Sequence, residues 1–152
     1  VRADRSLADR VIAETLRHSG PVHMIMRQTE EDVQIDDTVI PSGATCIMML
    51  AAANRDDRHF SDPERFDIFR EDLQVDRAFS GAANHVQFIL GRHFCVGSLL
   101  AKTEMTIALN LILDTMESIR YRDGFVPREV GLYTRSIPEL PIVFEPAGGA
   151  RR

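Results

Sequence analysis

One cysteine constrains this chain more than any other residue. Cys95 lies in the stretch FILGRHFCVGSLLAKTE, residues 88–104, between two glycines and just ahead of a long apolar segment with helical spacing. A thiol placed there meets the partial positive charge of a helix N-terminus and its unpaired backbone N–H groups. Both favour the thiolate over the thiol. Gly91 can take backbone angles closed to other residues, and Gly97 lets a bulky flat object approach the main chain. Arg92 and His93 add cationic or polar donors beside the sulfur. A thiolate on a tight loop with donors nearby suits two chemistries, holding a metal or acting as a nucleophile. The bland reading is a buried core cysteine, the commonest fate of a lone thiol.

The bulk composition narrows the setting. The chain has 152 residues, 44% hydrophobic and 27% charged, which is ordinary for a soluble globular protein able to bury a core. Its net charge is -5, acids and bases are interspersed, and no basic run is present, so nucleic acid is not expected as a partner. No apolar stretch reaches membrane-spanning length and no signal peptide opens the chain. Two cysteines far apart argue against a disulfide framework and fit a reducing compartment. Cys46, in the run ATCIMML, reads as a small buried hydrophobe. Val1 opens directly in a charged helical pattern without Met, so a piece of a larger protein is expected.

Taken in order, the chain predicts a helix over 6–19. Ser6 is its candidate cap, with Asp9 three residues on. Leu7, Val11, Ile12 and Leu16 form the apolar face, and Gly20-Pro21 stops it. Glu14 and Arg17 lie one above the other at i, i+3, which taken alone reads as an exposed ion pair worth a few tenths of a kcal/mol. Short strands follow over 22–27, 32–35, 38–40 and 44–50, with Asp36-Asp37 as a tight hairpin turn. Residues 51–60 read as a short helix or turn, and 61–83 as an irregular surface meander. A loop that long is functional or pinned by something. The longest helix is expected from Ser98 to about Tyr121. It is apolar on more than one side, as suits a helix buried in a large body. Strand character returns near 131–134 and 140–144, and the end is a flexible tail.

The spacing Phe88-x-x-Gly91-x-x-x-Cys95-x-Gly97 resembles the haem-binding loop of the cytochrome P450 family, the haem-thiolate monooxygenases. The order of the other pieces resembles the C-terminal part of a bacterial-type member. Glu14-Thr15-Leu16-Arg17 is similar to the family's ExxR motif, and Asp62-Pro63-Glu64-Arg65-Phe66 to its meander motif. The implied fold is mainly α with small β-sheets: ExxR helix, small sheet, meander, Cys-ligand loop, long helix and C-terminal β-hairpin. Residues 1–146 would be the C-terminal part of a single domain whose N-terminal half lies elsewhere, with 147–152 as the tail.

The resemblance implies haem b as cofactor and Cys95 as its iron ligand. Thiolate ligation is the family's established device for favouring O–O cleavage. It implies that Arg27 and His93 meet the haem propionates, that Phe88, Gly91, Gly97 and Ala101 line the haem, and that Glu14, Arg17 and Arg65 form a buried structural cluster. It implies monooxygenation of a small organic substrate, with electrons from a redox partner such as ferredoxin and its reductase, in a bacterial cytoplasm. Arg55, Arg58, Arg92 and Lys102 are candidate contacts for that partner. The family's distal proton-delivery residues would precede Val1. Two positions depart from the pattern. Ile89 stands where glycine is usual and Leu99 where many members have proline; a β-branched residue resists the positive φ that glycine supplies. Three other readings remain: a truncated, non-catalytic remnant or interaction fragment, a thiol enzyme with His93 or His85 as base, and a zinc site, for which the spacing is wrong.

Overall fold

The computed structural model describes residues 1–148. Asp4 opens the fold. Its carboxylate accepts the Ser6 N–H (3.0 Å) and hydroxyl (2.6 Å), capping a 3-10 turn over Arg5–Leu7. Helix α1 follows at Ala8–Ser19. Ser6, the expected cap, spends its hydroxyl as a donor to Asp4, which caps the 3-10 turn; α1 itself starts after Leu7 without a side-chain cap. The inner face of α1 buries Ala8, Ile12, Ala13 and Leu16, and with them Glu14 and Arg17. Phe60, Leu73 and Ala78 close over Ala13, with Val75 and Phe79 partly buried at the edge. The core is thus α1 against an irregular segment of the chain. Gly20 ends the helix where only glycine fits, because a Cβ there would overlap the Gln87 side chain and the Leu16 carbonyl.

Three two-stranded antiparallel sheets surround this core. Strand β1 (Ile25–Gln28) pairs with β4 (Thr45–Met48), setting Arg27 opposite Cys46. Between them runs the hairpin of β2 (Val33–Ile35) and β3 (Thr38–Ile40), turning at Asp36 with φ 48°. Aspartate tolerates that left-handed geometry. Cys46 is half-buried on β4, so it is not the fully buried hydrophobe expected. Helix α2 is a single turn, Leu50–Ala53, and does not reach Phe60. Among the described residues, 54–97 hold no helix or strand beyond the 3-10 turns Val75–Arg77 and Gly91–His93.

Helix α3 runs Ser98–Thr115 and stops short of Tyr121. Met116–Tyr121 is strand β5, which pairs with β6 (Ile142–Pro146). Ile119 and Tyr121 suit a pleated surface as well as a helix, and Ser118, at φ 52°, marks the irregularity between Glu117 and Arg120. The helix end is closed from the N-terminus of the chain. Arg2 donates to the Leu113 and Met116 carbonyls, and Arg5 to Asn110 Oδ1 (3.0 Å) and Asp114 (2.6 Å). Cations at a helix C-terminus are favourable. Near 131–134 only the bridges Val22 to Thr134 and Val130 to Ser136 form. The fold is accordingly mixed α/β rather than mainly α. Ala147 is buried and its N–H reaches the Thr115 carbonyl (3.0 Å). The remainder of the expected tail, 149–152, lies outside the described residues.

The apolar surface of α3 has little cover. Leu99, Leu100, Ile107 and Leu111 are each 60–67% exposed, and Ser98 is the one buried residue described on the helix. A groove of about 600 Å³ lined by Ile112, Met116, Ile119, Leu140 and Ile142 continues the same surface. No helix among the described residues is long and apolar enough to cross a membrane. Contiguous apolar surface of this kind marks contact with other protein. Expressed alone, the chain is expected to self-associate in light scattering; a monodisperse monomer with a cooperative melt would contradict that.

Candidate functional site

The site rests on a buried carboxylate. Glu14, fully buried, takes Arg17 Nε and Nη2 at 2.8 Å each, the Asp67 N–H at 2.8 Å and Arg70 Nε at 3.1 Å. Burial alone raises this carboxyl. The hydrogen bonds from Arg17, the Asp67 N–H and Arg70 outweigh it and leave the group below the usual carboxylate range. Both guanidiniums lie over the Phe60 ring, at 5.3 and 5.9 Å. Their remaining N–H groups tie down the meander. Arg17 donates to the carbonyls of Asn54 (3.0 Å), Pro63 (2.8 Å) and Arg65 (3.1 Å), and Arg70 to those of Ser61 (3.1 Å) and Arg65 (3.1 Å) and to Asp72 (2.8 Å).

The third charge of this cluster is Arg70 and not Arg65. The Arg65 side chain points outward, 67% exposed, 3.6 Å from Asp67; only its backbone carbonyl joins the network. The Arg65 carbonyl lies between the two buried guanidiniums, 3.1 Å from each, while its side chain leads away to Asp67. Arg70, five residues on, arrives from the other side.

The cysteine loop leaves this frame at Val86. Ile89 N–H returns to the Val86 carbonyl (2.9 Å), the Cys95 N–H to the Phe88 carbonyl (2.9 Å), and the Ser98 N–H to the Cys95 carbonyl (3.2 Å) as α3 begins. Gly91 takes φ 67°, as its place in the loop requires. Ile89 takes φ 62° although it is β-branched, a strain of roughly 1–2 kcal/mol. The loop thus keeps the backbone form expected of a glycine at this position. Behind it the Phe88 ring packs on Phe79 at 5.4 Å and beside His85 at 6.4 Å.

Cys95 is half-buried. A Cβ on Gly91 would meet nothing within 4 Å, and one on Gly97 only the Cys95 sulfur at 3.7 Å, so the face beside the sulfur is open. Among the described residues no group of three His, Cys, Asp or Glu side chains could enclose a metal ion. One soft thiolate on an open face does not make a zinc cage. It fits an iron whose other ligands come from a flat macrocycle.

The other expected residues are more scattered. His93 is exposed at the end of the 3-10 turn Gly91–His93, and Ala101 is half-buried in the first turns of α3. Arg27, half-buried on β1, bonds the neighbouring Met26 carbonyl (2.8 Å) and makes no hydrogen bond to the cysteine loop among the described residues. Of the candidate partner contacts, Arg58 pairs with Asp56, Arg55 with Glu64 and Lys102 with Asp9. His85 is buried, and burial pushes its imidazole down to about 4, opposed by the nearby Ala78 carbonyl, an acceptor that favours the protonated ring. Its Nδ1 accepts the Gln87 N–H (3.3 Å). Among the described residues neither His85 nor His93 hydrogen-bonds the Cys95 sulfur, so no cysteine–histidine nucleophile pair forms.

Residues 2–124 match the family model described as Cytochrome P450. The chain belongs to the cytochrome P450 family. It is 46% identical over 147 residues to pulcherriminic acid synthase of Bacillus subtilis (strain 168), covering 97% of this chain and 36% of that protein. Among solved structures it is similar to Mycobacterium marinum cytochrome P450 CYP150A6 in the substrate-free form, with TM-score 0.84, 32% identity and coverage of 97% of this chain and 36% of that one. It is similar also to P450BioI in complex with hexadec-9Z-enoic acid ligated acyl carrier protein, with TM-score 0.81, 34% identity and coverage of 95% and 35%. The chain therefore spans about a third of the length of these relatives and corresponds to their C-terminal portion.

Three outcomes test this geometry. Arg70→Met leaves Glu14 paired with Arg17 but removes its second guanidinium and the donors to the Ser61 and Arg65 carbonyls, and is expected to cost about 1–3 kcal/mol in denaturant unfolding, while Arg65→Met leaves the midpoint unchanged; equal effects would contradict the assignment. The stability that Glu14 lends is full above its ordinary value of 4.5 and is lost as pH falls through its depressed value. At Ile89, Gly is expected to melt higher than Ala, by about 1 kcal/mol, reversing the usual order because φ is positive. Ala equal to Gly would contradict the strain.

Proposed function

We propose that residues 1–146 are the haem-ligating C-terminal part of a single haem-thiolate monooxygenase domain. The observation that carries this reading is Cys95, a lone thiol on an open glycine-flanked loop, held by backbone hydrogen bonds just ahead of a long helix. Haem b, when bound, supplies the redox chemistry, using two electrons, two protons and O₂ to put one oxygen atom into a small organic substrate and the other into water.

The residues of the chain do the rest. Cys95 would give its thiolate to the iron. Phe88 holds the Cys95 N–H with its carbonyl and keeps water from the sulfur with its ring, which tunes the metal. Gly91, Gly97 and Ala101 keep the surface low where the macrocycle lies. Arg27 and His93 donate charge-assisted hydrogen bonds to its carboxylates. Glu14, Arg17 and Arg70, the last in place of Arg65, hold the meander behind the loop. Electrons come from a redox partner of the ferredoxin and reductase kind in a bacterial cytoplasm. Arg92, at the start of the loop, is a contact for the partner's acidic surface.

The uncovered apolar surface of α3 favours a second reading, in which the 152-residue chain by itself holds no haem. One experiment separates the two. Haemin is added to the chain and to the full polypeptide, each is reduced and exposed to carbon monoxide, and difference spectra are recorded beside Cys95→Ala. A red-shifted, thiolate-type Soret band in the full polypeptide, lost in the variant, is the expected result. Its absence from the chain alone supports the second reading for the chain. Its absence from both, or its survival in Cys95→Ala, overturns the proposal.

A further inference from the structure

The strongest unassigned feature is Asn54. It is 1% exposed and sits between the buried charge cluster and the cysteine loop. Its backbone carbonyl accepts Arg17 Nη1 (3.0 Å), and its own N–H bonds the Leu50 carbonyl (2.9 Å). Its side-chain Oδ1 accepts the Val86 N–H at 2.7 Å. From Val86 the hydrogen bonds continue through Ile89 and, by way of the Phe88 carbonyl, to the Cys95 N–H. One carboxamide therefore lies between the Glu14–Arg17–Arg70 cluster and the sulfur.

We propose that Asn54 is a positioning residue: its Oδ1, tied to Arg17 through its own backbone, fixes where the cysteine loop starts and hence where the Cys95 sulfur stands. The sulfur's role as an iron ligand rests on the reading above; the positioning itself does not.

The other end of the carboxamide sharpens the claim. Asn54 Nδ2 is buried without a hydrogen-bond partner among the described residues, as is the neighbouring Arg55 Nε. Both residues line a small cavity of about 80 Å³ with Arg17 and Gln87. The donor half of the amide makes no hydrogen bond to protein among the described residues, so the contact to the cysteine loop is carried by the acceptor half. A carboxylate keeps that acceptor and sets a negative charge among arginines. Asn54→Asp is therefore expected to conserve the loop, while Asn54→Leu, close in size, removes the acceptor and orphans a buried N–H.

Hydrogen exchange in the full polypeptide, without haem, decides the positioning. In Asn54→Leu the amides of Val86, Ile89 and Cys95 are expected to exchange faster together, by roughly tenfold, while those of the β5–β6 hairpin hold; Asn54→Asp is expected to keep the wild-type rates. Faster exchange at Val86 alone, or equal acceleration in Asp and Leu, overturns the proposal. If Asn54→Leu does not fold, the Asp variant decides: wild-type rates support the acceptor role and accelerated loop amides overturn it. The carbon monoxide difference spectrum is the second readout. Where wild type shows the thiolate-type band, loss of part of it in Leu and its retention in Asp supports the positioning of the sulfur; an undiminished band in Leu overturns it. Where wild type shows no band, the haem reading has failed and the exchange rates alone decide the role of Asn54.

Discussion

A carboxylate with no water around it governs this structure. Taking a charge such as Glu14 out of water costs several kcal/mol, and the cost is met only if every lone pair finds a donor. Helix α1 supplies one guanidinium, from Arg17. The rest must come from chain some fifty residues later, from the Asp67 N–H and from Arg70. The helix and the meander therefore form together. The two guanidiniums repay the arrangement by gathering carbonyls of the irregular segment, which has no ladder of its own to satisfy them. A long loop becomes a rigid body without becoming regular.

The cysteine loop inherits that rigidity. It is short of repeating structure and carries two residues at positive φ, one of them an isoleucine. Strain of this kind persists only where the surroundings over-determine it. Here the surroundings are a chain of backbone hydrogen bonds that begins at Asn54 and ends at the first turn of α3, with Phe79, His85 and Phe88 packed behind. The sulfur ends on an open face rather than in a core. A thiol that merely filled space would be better placed the other way round.

The sequence was most legible where the signals were local. Glycines at fixed distances from Cys95, the i, i+3 pair of Glu14 and Arg17, and the Asp36-Asp37 turn each carry their geometry within a few residues. The losses are of a different kind. Choosing Arg70 over Arg65 needs the path of an irregular loop, and no periodicity distinguishes two arginines five apart in a charged stretch. Asn54 carried no local signal, because its side chain acts across 32 residues of sequence, on the Val86 N–H. At the end of α3 the apolar spacing of Met116, Ile119 and Tyr121 serves a strand as well as a helix, and only the partner strand β6 decides. The balance of helix and strand shifted accordingly. Ser6 lost its place as cap because a 3-10 turn, capped by Asp4, precedes α1.

The cysteine loop presents one sulfur on an open face, and the proposed function gives that sulfur one iron. X-ray absorption at the iron edge of the haem-loaded full polypeptide measures that contact itself. A sulfur neighbour in the first coordination shell, replaced by a lighter atom in Cys95→Ser, is the result the proposed function predicts. A first shell of nitrogen and oxygen alone in the unmodified protein would contradict it.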